Sequence, residues 1–195
     1  MTDQATEPDS PILQALYEGR REDAERLAAE RRELDVFEAA ALGRRERVAA
    51  LLDEDPGLAR EWTPDGFTAL HYAGFFGDVR SAQSLIAAGA DVNANARNPR
   101  LVVAPIHSAA ASRQNETVRA LLDAGADPNA RQENGFVALH AAAQHGDREL
   151  AELLLERGAD PSAATDDGRT AESIARDVGH DELAALVAAA VATGI

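Results

Sequence analysis

Apolar residues recur at helical spacing along the chain, in short segments that polar loops separate. The two clearest segments place their apolar side chains at Val118, Leu121, Leu122, and at Leu150, Leu153, Leu154. Residues three and four positions apart share one face of an α-helix, so each segment predicts an amphipathic helix. A glycine follows each segment, Gly125 or Gly158, and suits a left-handed C-terminal cap. The pattern therefore predicts short helices that end in glycine turns.

A longer pattern repeats about every 33 residues. The segments TALHYAGFFGD, APIHSAAASRQ, VALHAAAQHGD and TAESIARDVGH begin at Thr68, Ala104, Val137 and Thr170. A second marker, found as AAGADVNA, DAGADPNA and ERGADPSA, keeps the same phase. Two markers in phase predict a unit of two helices that stacks on copies of itself.

These motifs resemble the ankyrin repeat, with its TPLH-like start, its pair of small residues, its glycine before the second helix and its LLxxGADxNA end. The resemblance covers roughly residues 35–190. It implies an all-α ankyrin-repeat solenoid of stacked helix-turn-helix units with projecting loops, and a function in binding a partner protein. It also implies that His71, His107 and His140 bond the capping residue and neighbouring backbone, which holds adjacent loops in register.

The positions of the motifs divide the chain into seven parts. We expect a flexible N-terminus (1–10), an N-terminal capping helix pair (11–34), a degenerate first repeat (35–62), a repeat (63–95), a repeat with a three-residue loop insertion (96–131), a further repeat (132–164) and a C-terminal capping repeat (165–195). Ser10 followed by Pro11 predicts the start of the first helix, since proline suits the first helical position.

Individual residues at the turns carry more specific expectations. Thr68 and Thr170 are expected to cap a helix through their hydroxyl groups, a cap that the helices after Ala104 and Val137 lack. The glycine before the second helix, at residues 77, 146 and 179, favours a positive φ. Arg113 occupies that position in its own repeat, which predicts local strain or a rearranged turn.

Composition and charge exclude several classes of function. The sequence has no cysteine, no apolar run of membrane-spanning length and no signal-peptide pattern at its start, so we expect a cytoplasmic protein without a membrane partner. A net charge of −15 repels phosphate backbones, which argues against nucleic acid. Basic residues that are all arginine, together with a high alanine content, suggest a bacterial source.

Catalytic and metal-binding motifs are missing from the sequence. There is no G-x-S-x-G, phosphate loop or H-E-x-x-H, so we expect no enzyme activity and no cofactor. Three histidines that stand one repeat apart are too distant to share a metal ion, and His145 and His180 lack a second ligand nearby in sequence. The regularly spaced Asp91, Asp127 and Asp160 are expected to bond the backbone of the turn that follows them.

The candidate binding surface lies in the middle of the chain. Residues 61–144 carry a net charge of only −2, against −6 for residues 1–60 and −7 for residues 145–195. Five of the eight aromatic residues fall between residues 62 and 76. From the family's concave face, the expected partner-binding residues are Trp62, Phe67, Phe75, Phe76, Arg97, Arg100, Phe136, Gln144 and His145.

Three readings of this surface remain open from sequence. Exposed aromatic residues and two arginines fit an unidentified partner protein that meets the concave face and loop tips. The same aromatic patch could bury against a second copy, although we expect a monomer more than a dimer. The terminal acids could instead mimic nucleic acid in the basic groove of a nucleic-acid-binding protein. The inserted loop, with Leu101–Val103, is either part of the surface or filling for a gap.

Overall fold

The computed structural model describes residues 10–194 and is all-helical there, without a β-strand. Its helices are α1 (Pro11–Tyr17), α2 (Arg21–Glu30), α3 (Val36–Ala41), α4 (Arg45–Glu54), α5 (Ala69–Phe75), α6 (Val79–Ala87), α7 (Pro105–Ala111), α8 (Asn115–Asp123), α9 (Ala138–His145), α10 (Arg148–Glu156), α11 (Ala171–Asp177) and α12 (Asp181–Thr193). The flexible N-terminus expected at residues 1–10 lies outside the described residues except for Ser10. No described helix has both the length and the apolar character needed to cross a membrane.

The helices stack in two layers that the chain visits alternately. Odd-numbered helices contact one another in sequence order, from α1 through α3, α5, α7 and α9 to α11, and form an inner layer. Helices α4, α6, α8, α10 and α12 form a parallel outer layer. Alanine dominates where inner helices meet, and Ala73, Ala109 and Ala142 have no exposed surface. Such small residues let neighbouring helices approach closely, so one continuous core runs through the array.

The first helix pair is joined to the array by a buried carboxylate. Ser10 caps α1 and also donates its hydroxyl to Glu38 Oε1 at 2.6 Å. Arg31 donates to the same oxygen at 2.8 Å, and the Glu38 side chain is almost wholly buried. Ser10 and Pro11 thus begin α1 as the sequence predicts, and Glu38 fixes that helix against α3.

The three histidines form a ladder between successive loops, as the resemblance implies. The Nδ1 atom of each accepts the N–H of the residue that precedes its helix, at 3.2, 2.9 and 3.0 Å for His71, His107 and His140. Each Nε2 lies 3.1, 2.8 or 3.0 Å from the carbonyl oxygen of Val103, Ala130 or Ala163 in the next loop. Burial lowers the pKa of all three, that of His71 to about 4. The neutral ring therefore donates through Nε2 and accepts through Nδ1.

The aspartates of the second marker bond the turn after them, which confirms their structural role. Asp91, Asp127 and Asp160 each accept the N–H of the residue two positions later, at 2.9, 2.8 and 2.8 Å. Asn93 and Asn129 extend this pattern between loops, since their amides bond the backbone of the next repeat.

Two expectations about single residues are wrong. Within the described residues, the Thr68 hydroxyl makes no bond to a backbone N–H and lies 2.8 Å from His71 Nδ1 instead, whereas Thr170 accepts from the Ser173 N–H as expected. Gly77 has no positive φ. A Cβ on Gly77 would lie 2.4 Å from the Ala40 carbonyl oxygen, so close helix approach requires glycine there.

The strain predicted at Arg113 is present. Its φ is 58°, in the left-handed region that side chains with a Cβ rarely adopt. The turn at Arg113 therefore keeps the positive φ found at glycine turns, and its backbone is strained.

Candidate functional site: an aromatic groove

An open groove of about 350 Å³ lies across the middle of the inner layer. We call it the aromatic groove; its walls come from α1, α5, α7 and the inserted loop. It is lined by Tyr17, Phe67, His71, Tyr72, Phe75, Phe76, Leu101, Val103, His107, Ser108, Ala111 and Gln132. Its volume lies at the lower end of the range for ligand pockets, enough for a few side chains of a partner.

Edge-to-face ring contacts build the aromatic wall. Phe75 and Phe76 have ring centroids 4.7 Å apart, and Tyr17 meets Phe76 at 5.3 Å. Beneath them, Phe67 and Tyr72 lie 6.1 Å apart and are nearly buried. The wall is thus a fixed cluster whose lower rings support the upper ones.

The inserted loop forms the opposite wall. Its backbone pairs on both sides: the Arg97 N–H donates to the Gly66 carbonyl at 2.8 Å, and the Glu133 N–H donates to the Val102 carbonyl at 3.2 Å. Val103 is buried, so it fills space as the sequence allowed, whereas Leu101 and Val102 keep 44% and 45% of their surface exposed. The loop is therefore held in place and presents apolar side chains to solvent.

The groove carries no charge from its own lining near neutral pH. Burial raises the pKa of Tyr17 to about 12 and also raises that of Tyr72. His71 and His107, whose pKa values burial lowers, are neutral. An apolar, neutral groove that exposes the rings of Tyr17 and Phe75 is typical of a site for protein contacts.

Two polar side chains in the groove have no side-chain hydrogen bond to another residue in the part of the chain described. The Ser108 hydroxyl and the Gln132 amide line the groove, and neither makes a side-chain hydrogen bond within residues 10–194. A hydroxyl and an amide can both donate to and accept from a peptide backbone. The groove therefore offers hydrogen bonds beside its apolar walls.

Trp62 lies beside the groove and lines a second, more polar cleft. The Arg97 guanidinium stands 4.0 Å from the centre of the Trp62 ring, which is a cation–π contact. Trp62 and Asp65 line this cleft of about 240 Å³ together with Glu38. Asp65 is buried, and the Tyr72 hydroxyl donates to its carboxylate oxygens at 3.2 Å. Asp65 and Tyr72 thus form the partition between cleft and groove.

The structure brings some of the sequence-predicted residues together and leaves others apart. Phe67, Phe75 and Phe76 line the aromatic groove, although only Phe75 is strongly exposed and Phe67 forms the floor. Phe136, Gln144 and His145 are not among its lining residues. The Phe136 ring lies 5.3 Å from His140 and braces its own loop. The Nδ1 atom of His145 is buried and has no hydrogen-bond partner among residues 10–194.

Sequence reasoning missed Tyr17 because α1 was assigned to a cap. Tyr17 precedes Gly19 by two residues, the separation between Phe75 and Gly77, so it occupies the equivalent place on its helix. The equivalent residue of α3, between them, is Ala41, which is too small to block Tyr17 from reaching Phe76. The two-residue separation from the next glycine, which Tyr17 shares with Phe75, could therefore have identified Tyr17 from the sequence.

Comparison with known families agrees with this architecture. Residues 65–97 match the family model described as "Ankyrin repeat", and residues 106–155 match the model "Ankyrin repeats (many copies)". The helix pairs, the histidine ladder and these matches together define an ankyrin-repeat protein.

Two curated proteins share the repeats over part of the chain. The chain is 32% identical over 112 residues to "Ankyrin repeat and SAM domain-containing protein 6" of Rattus norvegicus, covering 56% of this chain and 12% of that protein. It is 38% identical over 96 residues to "Probable E3 ubiquitin-protein ligase XBOS31" of Oryza sativa subsp. japonica, covering 49% of this chain and 21% of that protein. The chain therefore spans a small part of each relative. Ankyrin repeats generally mediate protein–protein contacts and are typically non-catalytic.

Proposed function

We propose that this protein is a non-catalytic binding module that holds a segment of a partner protein in the aromatic groove, on the concave side of the array and against the loop tips. The observation that carries the proposal is the exposed apolar surface that converges there, at Tyr17, Phe75 and Leu101. Each keeps between 42% and 45% of its surface exposed. Exposed apolar surface raises the free energy of the protein in water, and covering that surface with a partner lowers the free energy again.

The rigidity of the groove supports binding by preformed shape. Its floor is packed into the core, and hydrogen bonds fix its loop wall on both sides. Little conformational entropy is then lost when a partner docks, so more of the contact energy remains as affinity.

Selection from a random peptide library displayed on phage tests the proposal. The bait is the wild type, with a Phe75→Ser, Leu101→Ser double variant for counter-selection and a Val178→Ser variant as matched control. Val178 is exposed to a similar degree but lies after α11. Peptides kept by the wild type and the control but lost by the double variant support the proposal. Peptides kept equally by all three refute it.

A further inference from the structure

The side chains that line the aromatic groove are uncharged. Within residues 10–194, no arginine, lysine, aspartate or glutamate lines it, although the whole chain has a net charge of −15. Burial lowers the pKa of His71 and of His107, so both rings are neutral near pH 7. A charged side chain that entered the groove would be buried without a partner of opposite charge, which costs free energy. We therefore expect the occupant of the groove to be uncharged.

Hydrogen bonds of the fold engage several polar groups of the lining. Both ring nitrogens of His71 bond backbone groups, and so do both ring nitrogens of His107. The Tyr72 hydroxyl donates to the carboxylate of Asp65. These groups therefore serve the fold and not an occupant.

The Ser108 hydroxyl differs from these groups. Ser108 lies on α7 and lines the groove, and only 8% of its surface is exposed. Its hydroxyl makes no hydrogen bond to another residue within residues 10–194. Polar groups that are buried to this extent normally have a hydrogen-bond partner. An unpaired hydroxyl in the wall of an open groove thus indicates a place where an occupant forms a hydrogen bond.

Apolar side chains stand above this hydroxyl at the rim of the groove. Phe75 and Leu101 keep 42% and 44% of their surface exposed, so Ser108 lies deeper than either of them. A peptide backbone that crosses the groove rests on the rim, whereas the tip of a long side chain can reach the hydroxyl. The exposed rings of Phe75 and Tyr17 favour edge-to-face contact with another ring. A long, uncharged side chain with an aromatic ring fits these conditions.

We propose that the occupant of the aromatic groove is a segment of a partner protein anchored by a tyrosine or tryptophan whose polar tip bonds the Ser108 hydroxyl. The inference rests on the proposed function and adds the chemistry of the partner. The ring packs between Phe75 and Leu101, and its O–H or N–H donates to Ser108 Oγ. Tyrosine and tryptophan combine a large apolar body with a hydrogen-bonding group, and both are enriched at binding hot spots. Phenylalanine or leucine would leave the Ser108 hydroxyl unpaired on burial, which costs free energy.

The Gln132 amide fits the backbone of the same segment. Gln132 lies in the loop before α9 and is half-buried, and its side chain makes no hydrogen bond within residues 10–194. An amide can both donate to and accept from a peptide backbone. A segment whose aromatic anchor fills the groove can therefore bond Gln132 through its backbone at the rim.

A second copy of this chain offers a poorer anchor. The chain has two tyrosines and one tryptophan. Tyr72 is buried, and the Arg97 guanidinium lies over the Trp62 ring. Tyr17 is exposed but packs against Phe76 in its own groove. The net charge of −15 on each copy also opposes association, so a different protein is the better source of the anchor.

Competition among six phage sub-libraries tests the inference. Each displays one fixed central residue (Tyr, Trp, Phe, Leu, Glu or Lys) with about three random positions on either side. Equal numbers are mixed and recovered on immobilised wild type. We expect the Tyr and Trp sets in roughly fivefold excess over the Phe and Leu sets, because one neutral hydrogen bond is gained. The Glu and Lys sets should be recovered least, because the groove offers no opposite charge.

A double-mutant cycle assigns the preference to Ser108. A peptide selected from the Tyr or Trp set is compared by fluorescence polarisation with its counterpart that carries Phe at the central position. The change to Phe should weaken binding about fivefold on wild type and less than about twofold on Ser108→Ala. Ser84→Ala, which removes a hydroxyl from α6 in the outer layer, should keep the fivefold difference. Circular dichroism checks that both variants fold.

Each outcome decides between the inference and the proposed function. Equal recovery of the Tyr, Trp, Phe and Leu sets, an excess of the Glu or Lys set, or a Phe penalty that Ser108→Ala leaves unchanged overturns the inference. If recovery still depends on Phe75, the groove remains a binding site and the proposed function stands. Failure to recover any set on wild type overturns the inference, and the random-library selection then judges the proposed function separately. A dimer that blocks all recovery, detected as concentration-dependent mass by light scattering, overturns both and favours self-association.

Discussion

Lowering the pH is expected to weaken the stack through its buried histidines, most strongly through His71. Burial lowers the pKa of His71 to about 4, while an unfolded chain holds its histidines near the ordinary value of 6.5. The folded state therefore favours the neutral ring. The neutral His71 ring stabilises the folded state fully above pH 6.5, and this stabilisation is lost as the pH falls toward 4.

The size of the loss follows from the difference between the two pKa values. Each unit corresponds to about 1.4 kcal/mol, so the full loss below pH 4 is about 3 kcal/mol. At pH 5 the unfolded ring is largely protonated and the folded ring is not, which gives a loss of about 2 kcal/mol. The reason is visible in the contacts: protonated Nδ1 can no longer accept the Thr68 N–H, and a charge would be buried beside Phe67.

Urea unfolding of wild type and a His71→Gln variant measures this contribution. Glutamine at the same helical position can still accept the Thr68 N–H but does not titrate. Carboxylates that titrate near pH 4 affect both proteins equally, so they cancel in the difference between the two free energies of unfolding. The advantage of wild type over the variant should shrink by about 2 kcal/mol between pH 7.5 and pH 5. A constant difference across this range would refute the account of the histidine ladder.

Three further substitutions test individual contacts, each by urea unfolding at neutral pH. Glu38→Ala should cost about 2 kcal/mol, because it removes the buried acceptor of Arg31 and of the Ser10 hydroxyl; a loss below about 0.5 kcal/mol would show that the first helix pair is held by other contacts. Gly77→Ala should lower the free energy of unfolding by about 1–3 kcal/mol, because the new Cβ would overlap the Ala40 carbonyl oxygen. An unchanged free energy of unfolding would contradict the close approach of α3 and α5. Arg113→Gly should raise the free energy of unfolding by about 1 kcal/mol, because glycine adopts a positive φ without strain. A lower free energy of unfolding would mean that the weak contact of Arg113 with Asp147 outweighs the strain.

Local chemistry made much of the fold predictable. The helix periodicity around Leu121 and Leu154, the spacing of His71, His107 and His140, and the proline at the first position of α1 all act over a few residues or at a fixed repeat length. These features depend on backbone geometry and on side-chain hydrogen bonds that are the same in every unit. Sequence alone could therefore identify stacked helix pairs and assign the histidines to structure.

Contacts between residues that are distant in sequence could not be predicted from the helical periodicity or from the repeat. Gly77 was expected to need a positive φ, yet its constraint comes from Ala40, which is distant in sequence. Tyr17 was placed in a cap, yet it reaches Phe76 across α3. Phe67 was expected on the exposed concave face, but the rings around it bury it.

The sequence by itself determined the repeated helical unit, the structural role of the histidines at the loops and the excess of negative charge. Only the tertiary structure decided which aromatic residues meet, which of them face solvent and where the arginines lie relative to them. The physical reason is that the repeat fixes each unit internally, whereas the aromatic groove is formed by side chains from four separate segments. Their meeting depends on the small residues between them, above all Ala41, and on the loop that Gly66 and Glu133 hold in place.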